Sequence, residues 1–89
     1  MAQIKDMPPS IVKLVQFIEN RVKPEAIILF GSRARGDHRE NSDFDFAVKK
    51  KHLDRKIWSS LLVDLEEEPI TLLPVDIVHY ESLNQAYVL

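Results

Sequence analysis

Asp43 and Asp45, separated by Phe44, have the spacing to do chemistry together. If that stretch is extended, the two side chains leave the same face of a strand about 6.6 Å apart along the backbone. Carboxylates held that close repel and resist simultaneous ionisation unless a cation sits between them. Magnesium suits such a place, because it takes hard oxygen ligands from one or two carboxylates and completes its shell with water and phosphate oxygens. Polar residues alternating along a half-exposed strand produce the same pattern, so the motif by itself leaves both readings open.

Three further features bear on the choice. Gly31-Ser32 directly follows the apolar run Ala26-Ile27-Ile28-Leu29-Phe30. The missing side chain at Gly31 lets backbone amides approach a phosphate and the Ser32 hydroxyl can donate to it, although a plain turn uses the same residues. Asp76 interrupts the apolar stretch Pro74-Val75-Asp76-Ile77-Val78. An ionised carboxylate there is costly without a partner, unless the strand lies at a sheet edge. Arg33, Arg35 and Arg39 crowd the intervening loop, where they can offer guanidinium forks to a polyphosphate or simply be solvated.

Regular elements must position these groups. Pro8-Pro9-Ser10 leads into an apolar stripe at helical spacing, Ile11, Leu14, Val15, Ile18 and Val22, which Pro24 closes. Residues Ala26 to Phe30 predict a strand covered on both faces, and Asp43 to Val48 an alternating strand with Phe44, Phe46 and Val48 on its apolar side. Leu53, Ile57, Trp58, Leu61, Leu62 and Leu65 predict a second amphipathic helix ending before Pro69. Leu72 to Tyr80 reads as a third strand and Glu81 to Leu89 as a last helix. Helices interleaved with strands indicate an α/β (α+β) layer structure. The helix between the second and third strands is a crossover long enough for parallel pairing, so a mixed sheet of at least three strands is expected.

Composition limits the function classes. The 89 residues are 45% apolar and contain no cysteine, which excludes disulfides and thiolate metal sites. The whole chain, 1–89, reads as a single domain without repeats or linkers, burying roughly 60 to 65% of its unfolded surface. No apolar run reaches the roughly 20 residues of a membrane helix and no signal peptide is evident, so a cytoplasmic protein is expected. A net charge of -2 argues against direct nucleic-acid binding. Glu66-Glu67-Glu68 falls near a helix C-terminus, where the macrodipole disfavours anions; it reads as a frayed end or a partner surface.

Gly31-Ser32, ten intervening residues, Asp43-Phe44-Asp45 and then a later strand bearing Asp76 together resemble the nucleotidyltransferase superfamily of DNA polymerase beta and kanamycin nucleotidyltransferase. Within it, the short length and the wording GSRARG and NSDFDFAV resemble the minimal nucleotidyltransferases (MNT), which are paired with HEPN proteins in prokaryotic toxin-antitoxin modules. The resemblance implies a nucleotidyltransferase fold, a small mixed sheet with helices packed on it in the order α-β-α-β-α-β-α. It implies that Gly31 and Ser32, with Arg33 and Arg35, bind the nucleotide, and that Asp43, Asp45 and Asp76 are catalytic residues and ligands of two Mg²⁺ ions. Asp76 is then also a candidate general base, ATP the substrate, and a HEPN-type RNase toxin the partner, with AMP passing to one of its hydroxyls and homo- or hetero-oligomers open. Two alternatives stand beside this: an antitoxin that acts by binding only, and a nucleotidyltransferase for a small-molecule acceptor. Departures from the family pattern are His38 in the loop, Phe44 and Phe46 where aliphatic residues are often found, and the apolar ending Ala86-Tyr87-Val88-Leu89.

Overall fold

The computed structural model describes residues 7–36 and 42–82. His38 and Arg39 lie outside the described residues, as does most of the expected last helix 81–89; residues 81 and 82 are helical, and so is Tyr80, at the expected end of the third strand. The element order is α1 (Pro9–Val22), β1 (Ala26–Phe30), α2 (Gly31–Arg35), β2 (Phe44–Lys49), α3 (Arg55–Glu67) and β3 (Val75–His79). Two compact units result, one containing the strands and α2, the other α1 and α3.

In the helical unit, α1 starts on Pro9, whose fixed φ suits a first turn and whose missing N–H would have had no helical partner. It ends where Lys23 turns left-handed and its N–H donates to the Glu19 carbonyl, and Pro24 cannot continue it. The expected stripe Ile11, Leu14, Val15, Ile18 and Val22 is buried, each residue at most 4% exposed. Helix α3 is started by Asp54, whose carboxylate accepts from the N–H groups of Lys56 at 2.7 Å and Ile57 at 3.3 Å. Its stripe is buried less completely than expected: Leu61 is inaccessible, whereas Ile57 and Leu62 are 43% and 38% exposed. The six apolar positions spread over more than one helix face, wider than the seam that one neighbouring helix covers. Arg21 on α1 reaches Asp64 at 2.8 Å and Ser60 at 2.9 Å on α3, and lies over the Phe17 ring. Ser10 and Thr71 join hydroxyls at 2.8 Å.

The other unit is a mixed sheet in the order β1-β2-β3. Strand β2 pairs antiparallel with β1 and parallel with β3, as the intervening α3 allows. As the central strand it buries Phe44, Phe46, Ala47 and Val48, none more than 3% exposed, and the two phenylalanine rings lie nearly parallel. Strand β1 departs from expectation. It is an edge strand rather than one covered on both faces, with Ile28 and Phe30 38% and 37% exposed. A short unbroken apolar run identifies a strand but does not say how many of its sides are covered. Strand β3 is shorter than the predicted 72–80, because Pro74 has no N–H to give and serves instead as acceptor for Phe44 N–H at 2.9 Å. Beyond the strand ends, His79 bridges the Lys50 carbonyl at 2.7 Å and Ser82 at 2.8 Å, while Glu81 accepts the Lys50 N–H.

Candidate active site

The alternation of β2 sends Phe44, Phe46 and Val48 into the core and leaves Asp45 half-buried on the opposite face. Register then determines its neighbours. Asp45 stands level with Phe30 of β1 and with Asp76 of β3, one row across the sheet. Residues paired in this way share a face, with strands about 4.8 Å apart. Asp43 sits just before β2 and is exposed.

This crowding has an electrostatic consequence. The Asp45 carboxyl is raised above its ordinary 3.8, first because burial disfavours its charged form, then because Asp76 and Asp43 repel it. Asp45 therefore feels both of the other predicted aspartates. None of their side chains has a hydrogen bond or ion pair among the described residues. Nor, among the described residues, are any three His, Cys, Asp or Glu side chains gathered tightly enough to hold one metal ion as they stand. The donor chemistry nevertheless fits a hard divalent cation: these are carboxylate oxygens, unspent on other partners, whose mutual repulsion a cation would reverse.

Gly31 opens α2 with φ +74°, a conformation that side-chain-bearing residues rarely adopt. A Cβ at this position would collide with Oδ2 of Asp45. The glycine is thus required twice, by its own backbone and by the carboxylate against it. That contact was not legible in the sequence, because Gly31 and Asp45 meet only through the β1–β2 pairing. Ser32 follows in α2, half-buried.

The arginines divide. Nε and Nη2 of Arg33 both donate to the Ser42 carbonyl, at 3.2 and 3.1 Å, and its guanidinium lies 4.2 Å from the centre of the Phe44 ring. Arg33 therefore ties α2 to the start of the strand that carries Asp45. Arg35 is exposed at the end of α2, and Arg39 lies outside the described residues. Asp76 also departs from its sequence argument. It is exposed on an edge strand, so the cost of burying an ionised carboxylate does not arise; its significance comes from standing beside Asp45.

Against this geometry the comparisons are decisive at the family level. The family model "Polymerase beta, Nucleotidyltransferase" matches residues 12–88. The chain belongs to this nucleotidyltransferase family. A protein of Methanocaldococcus jannaschii that carries the provisional name of a protein adenylyltransferase is 30% identical over 89 residues, covering 99% of this chain and 89% of that protein. No solved structure gives a significant match. Family membership accounts for the mixed three-stranded sheet and makes the chain a nucleotidyltransferase-type transferase domain. Among the described residues no helix is long and apolar enough to cross a membrane.

Proposed function

We propose that this nucleotidyltransferase transfers AMP from ATP to a hydroxyl of a partner protein in a magnesium-dependent reaction. The observation that carries the reading is the single row in which Asp45 stands beside Asp76, with Gly31 held against Asp45. The name of the archaeal relative supports a protein as acceptor.

Asp43, Asp45 and Asp76 would hold the metal. Bound there, two magnesium ions would supply charge neutralisation at the attacking and leaving oxygens of an in-line displacement. The chain's own groups do the rest. Gly31, without a side chain, would let backbone amides approach the triphosphate, and the Ser32 hydroxyl would donate to a phosphate oxygen. Arg33, donating to the Ser42 carbonyl, orients the strand start, and Arg35 offers a cation to the polyphosphate. Asp76, exposed and open to an incoming acceptor, takes the hydroxyl proton. The acceptor oxygen bonds to the α-phosphorus as the bond from that phosphorus to the bridging oxygen breaks. Pyrophosphate leaves with the electron pair, and AMP remains on the acceptor.

A HEPN-type RNase toxin is the proposed partner. Phosphodiester-linked AMP on its surface adds negative charge and bulk, which would obstruct an RNA-cutting site. A binding-only antitoxin, with the carboxylates kept as a relic or a nucleotide sensor, is the second reading.

Intact mass separates these readings. The chain is incubated with Mg²⁺, each nucleoside triphosphate in turn and a purified HEPN-type protein. A mass gain on that protein matching one or more AMP groups supports transfer, with ATP preferred. An unmodified protein that still forms a stable complex supports binding alone, and transfer only to added small hydroxyl compounds supports the small-molecule alternative.

A further inference from the structure

The end of α3 breaks a local rule without a visible return. Glu66, Glu67 and Glu68 place anions at a helix C-terminus, where the exposed carbonyls are already negative, and the last turn has no basic residue. Among the described residues none of the three glutamates has a side-chain hydrogen bond or ion pair. The nearby cation is engaged elsewhere, since Arg21 is held by Asp64 and Ser60 and lies over Phe17.

Glu67 and Glu68, with Arg21, Asp64 and Phe17, line one groove in the helical unit. Its volume is about 440 Å³, with Phe17 and Ile70 as apolar lining and Arg21, Asp64, Glu67 and Glu68 as charges. With Arg21 and Asp64 neutralising each other, the groove keeps an excess of negative charge. One turn before Glu67, on the same face of α3, Val63 is 49% exposed and extends the apolar surface.

We infer that this groove docks a basic amphipathic segment of the protein acceptor, a stretch in which lysine or arginine alternates with apolar side chains. The complementarity is specific to that chemistry. The methylene stem of a lysine or arginine covers Phe17 and Ile70 while its charged head meets Glu67 and Glu68, and a neighbouring apolar residue covers Val63. A cation there also satisfies the α3 carbonyl end, so glutamates unfavourable in the free chain become favourable in the complex. The inference rests on the reading that the acceptor is a protein, yet uses none of the residues assigned to the nucleotide.

The test is a two-dimensional amide NMR titration of the full chain, without nucleotide, using a short helical peptide of lysine and leucine. A glutamate–leucine peptide of equal length and spermidine serve as comparison probes. Docking predicts shifts concentrated at Phe17, Val63 and the amides from Glu67 to Ile70, weakening with added salt. In the double variant Glu67→Gln, Glu68→Gln affinity should fall about ten-fold. Both changed sites are exposed, so an unchanged amide spectrum elsewhere establishes that the variant is folded. Shifts centred on Asp43, Asp45 and Asp76, undiminished affinity in the variant, or equally strong spermidine binding at the groove would each overturn the proposal. Failure of the transfer reaction appears separately, in the mass assay, and leaves the titration interpretable.

Discussion

The helical unit and the sheet unit treat charge differently where each is best packed. In the helical unit, Arg21 in the last turn of α1 is matched by Asp64 of α3, Asp54 satisfies the first N–H groups of α3, and Ile11, Ile18 and Leu61 are fully buried. In the sheet, β2 packs equally well on one face while its other face sets Asp45 against Asp76 and Asp43 with no compensating partner among the described residues. One strand thus satisfies packing and violates electrostatics at alternate positions. Sequences tend to be consistent across propensity, packing and charge except where function demands otherwise, and that is why the sheet face, rather than the better-satisfied helical seam, is the place to look for chemistry.

The sharpest way to break this contrast is to remove one side chain from each unit's defining feature: a repelled charge from the sheet and a buried methyl cluster from the helices. Asp45→Asn should lower nucleotide transfer by about a hundred- to a thousand-fold, since transition-state charge would lose several kcal/mol of stabilisation, while circular dichroism stays unchanged. Transfer at the original rate would show the aspartate row to be incidental. The helical counterpart is Ile18→Ala, which empties a fully buried site on α1. It should cost about 3 kcal/mol in urea unfolding with no direct effect on the chemistry of the folded fraction. A variant that kept its stability but lost transfer would erase the distinction between the two units.

Much of this division was legible in the residues themselves. The α1 stripe and its proline boundaries gave that helix within narrow limits, and the β1 segment matched in full, because periodicity, Pro and Gly act locally. The mixed order of the sheet followed from one inference, that a helix separates the second strand from the third. What could not be read depended on contacts between distant segments. Arg33 is committed to the Ser42 carbonyl and Phe44, which no spacing rule announces. Asp76 drew attention as a charge in an apolar run, yet it is exposed on an edge, and register rather than burial gives it a neighbour. The full α3 stripe failed as a burial prediction because amphipathicity names a face without saying how much of it is covered.

The junction between β1 and α2 tests whether the carboxylate row needs its glycine. Gly31→Ala introduces a Cβ at φ +74° and against Asp45 Oδ2. Backbone strain of this kind costs about 2 kcal/mol, and relief would come by displacing either α2 or the Asp45 side chain. Thermal unfolding should therefore fall while transfer falls by more than the loss of folded protein explains. Gly36→Ala is the control: its φ is +81°, but nothing lies within 4 Å of the added methyl, so it should lose stability without the extra loss of transfer. Equal behaviour of the two variants would locate the requirement in backbone conformation alone.

The smallest effect is also the one whose sign is least intuitive. Because the Asp45 carboxyl is raised above 3.8 in the folded chain, the folded state binds more protons than the unfolded state between that value and the raised one. Its contribution to stability is fully present below 3.8 and is lost as pH rises through the folded value, so at neutral pH the ionised group is a cost. Asp45→Asn removes a charge that is repelled rather than paired, and the solvent-screened gain at pH 7 should be about 0.5 kcal/mol. At pH values below 3.8 the advantage should disappear, because wild-type Asp45 is then neutral as well. Magnesium should shift the balance the other way, stabilising the wild type at pH 7 and the variant much less. Differential scanning calorimetry at the two pH values, with and without the ion, checks all three signs. A variant less stable than wild type at pH 7 in the absence of metal would mean that Asp45 is held by an attraction outweighing its two acidic neighbours, and the contrast between the units would vanish at its central residue.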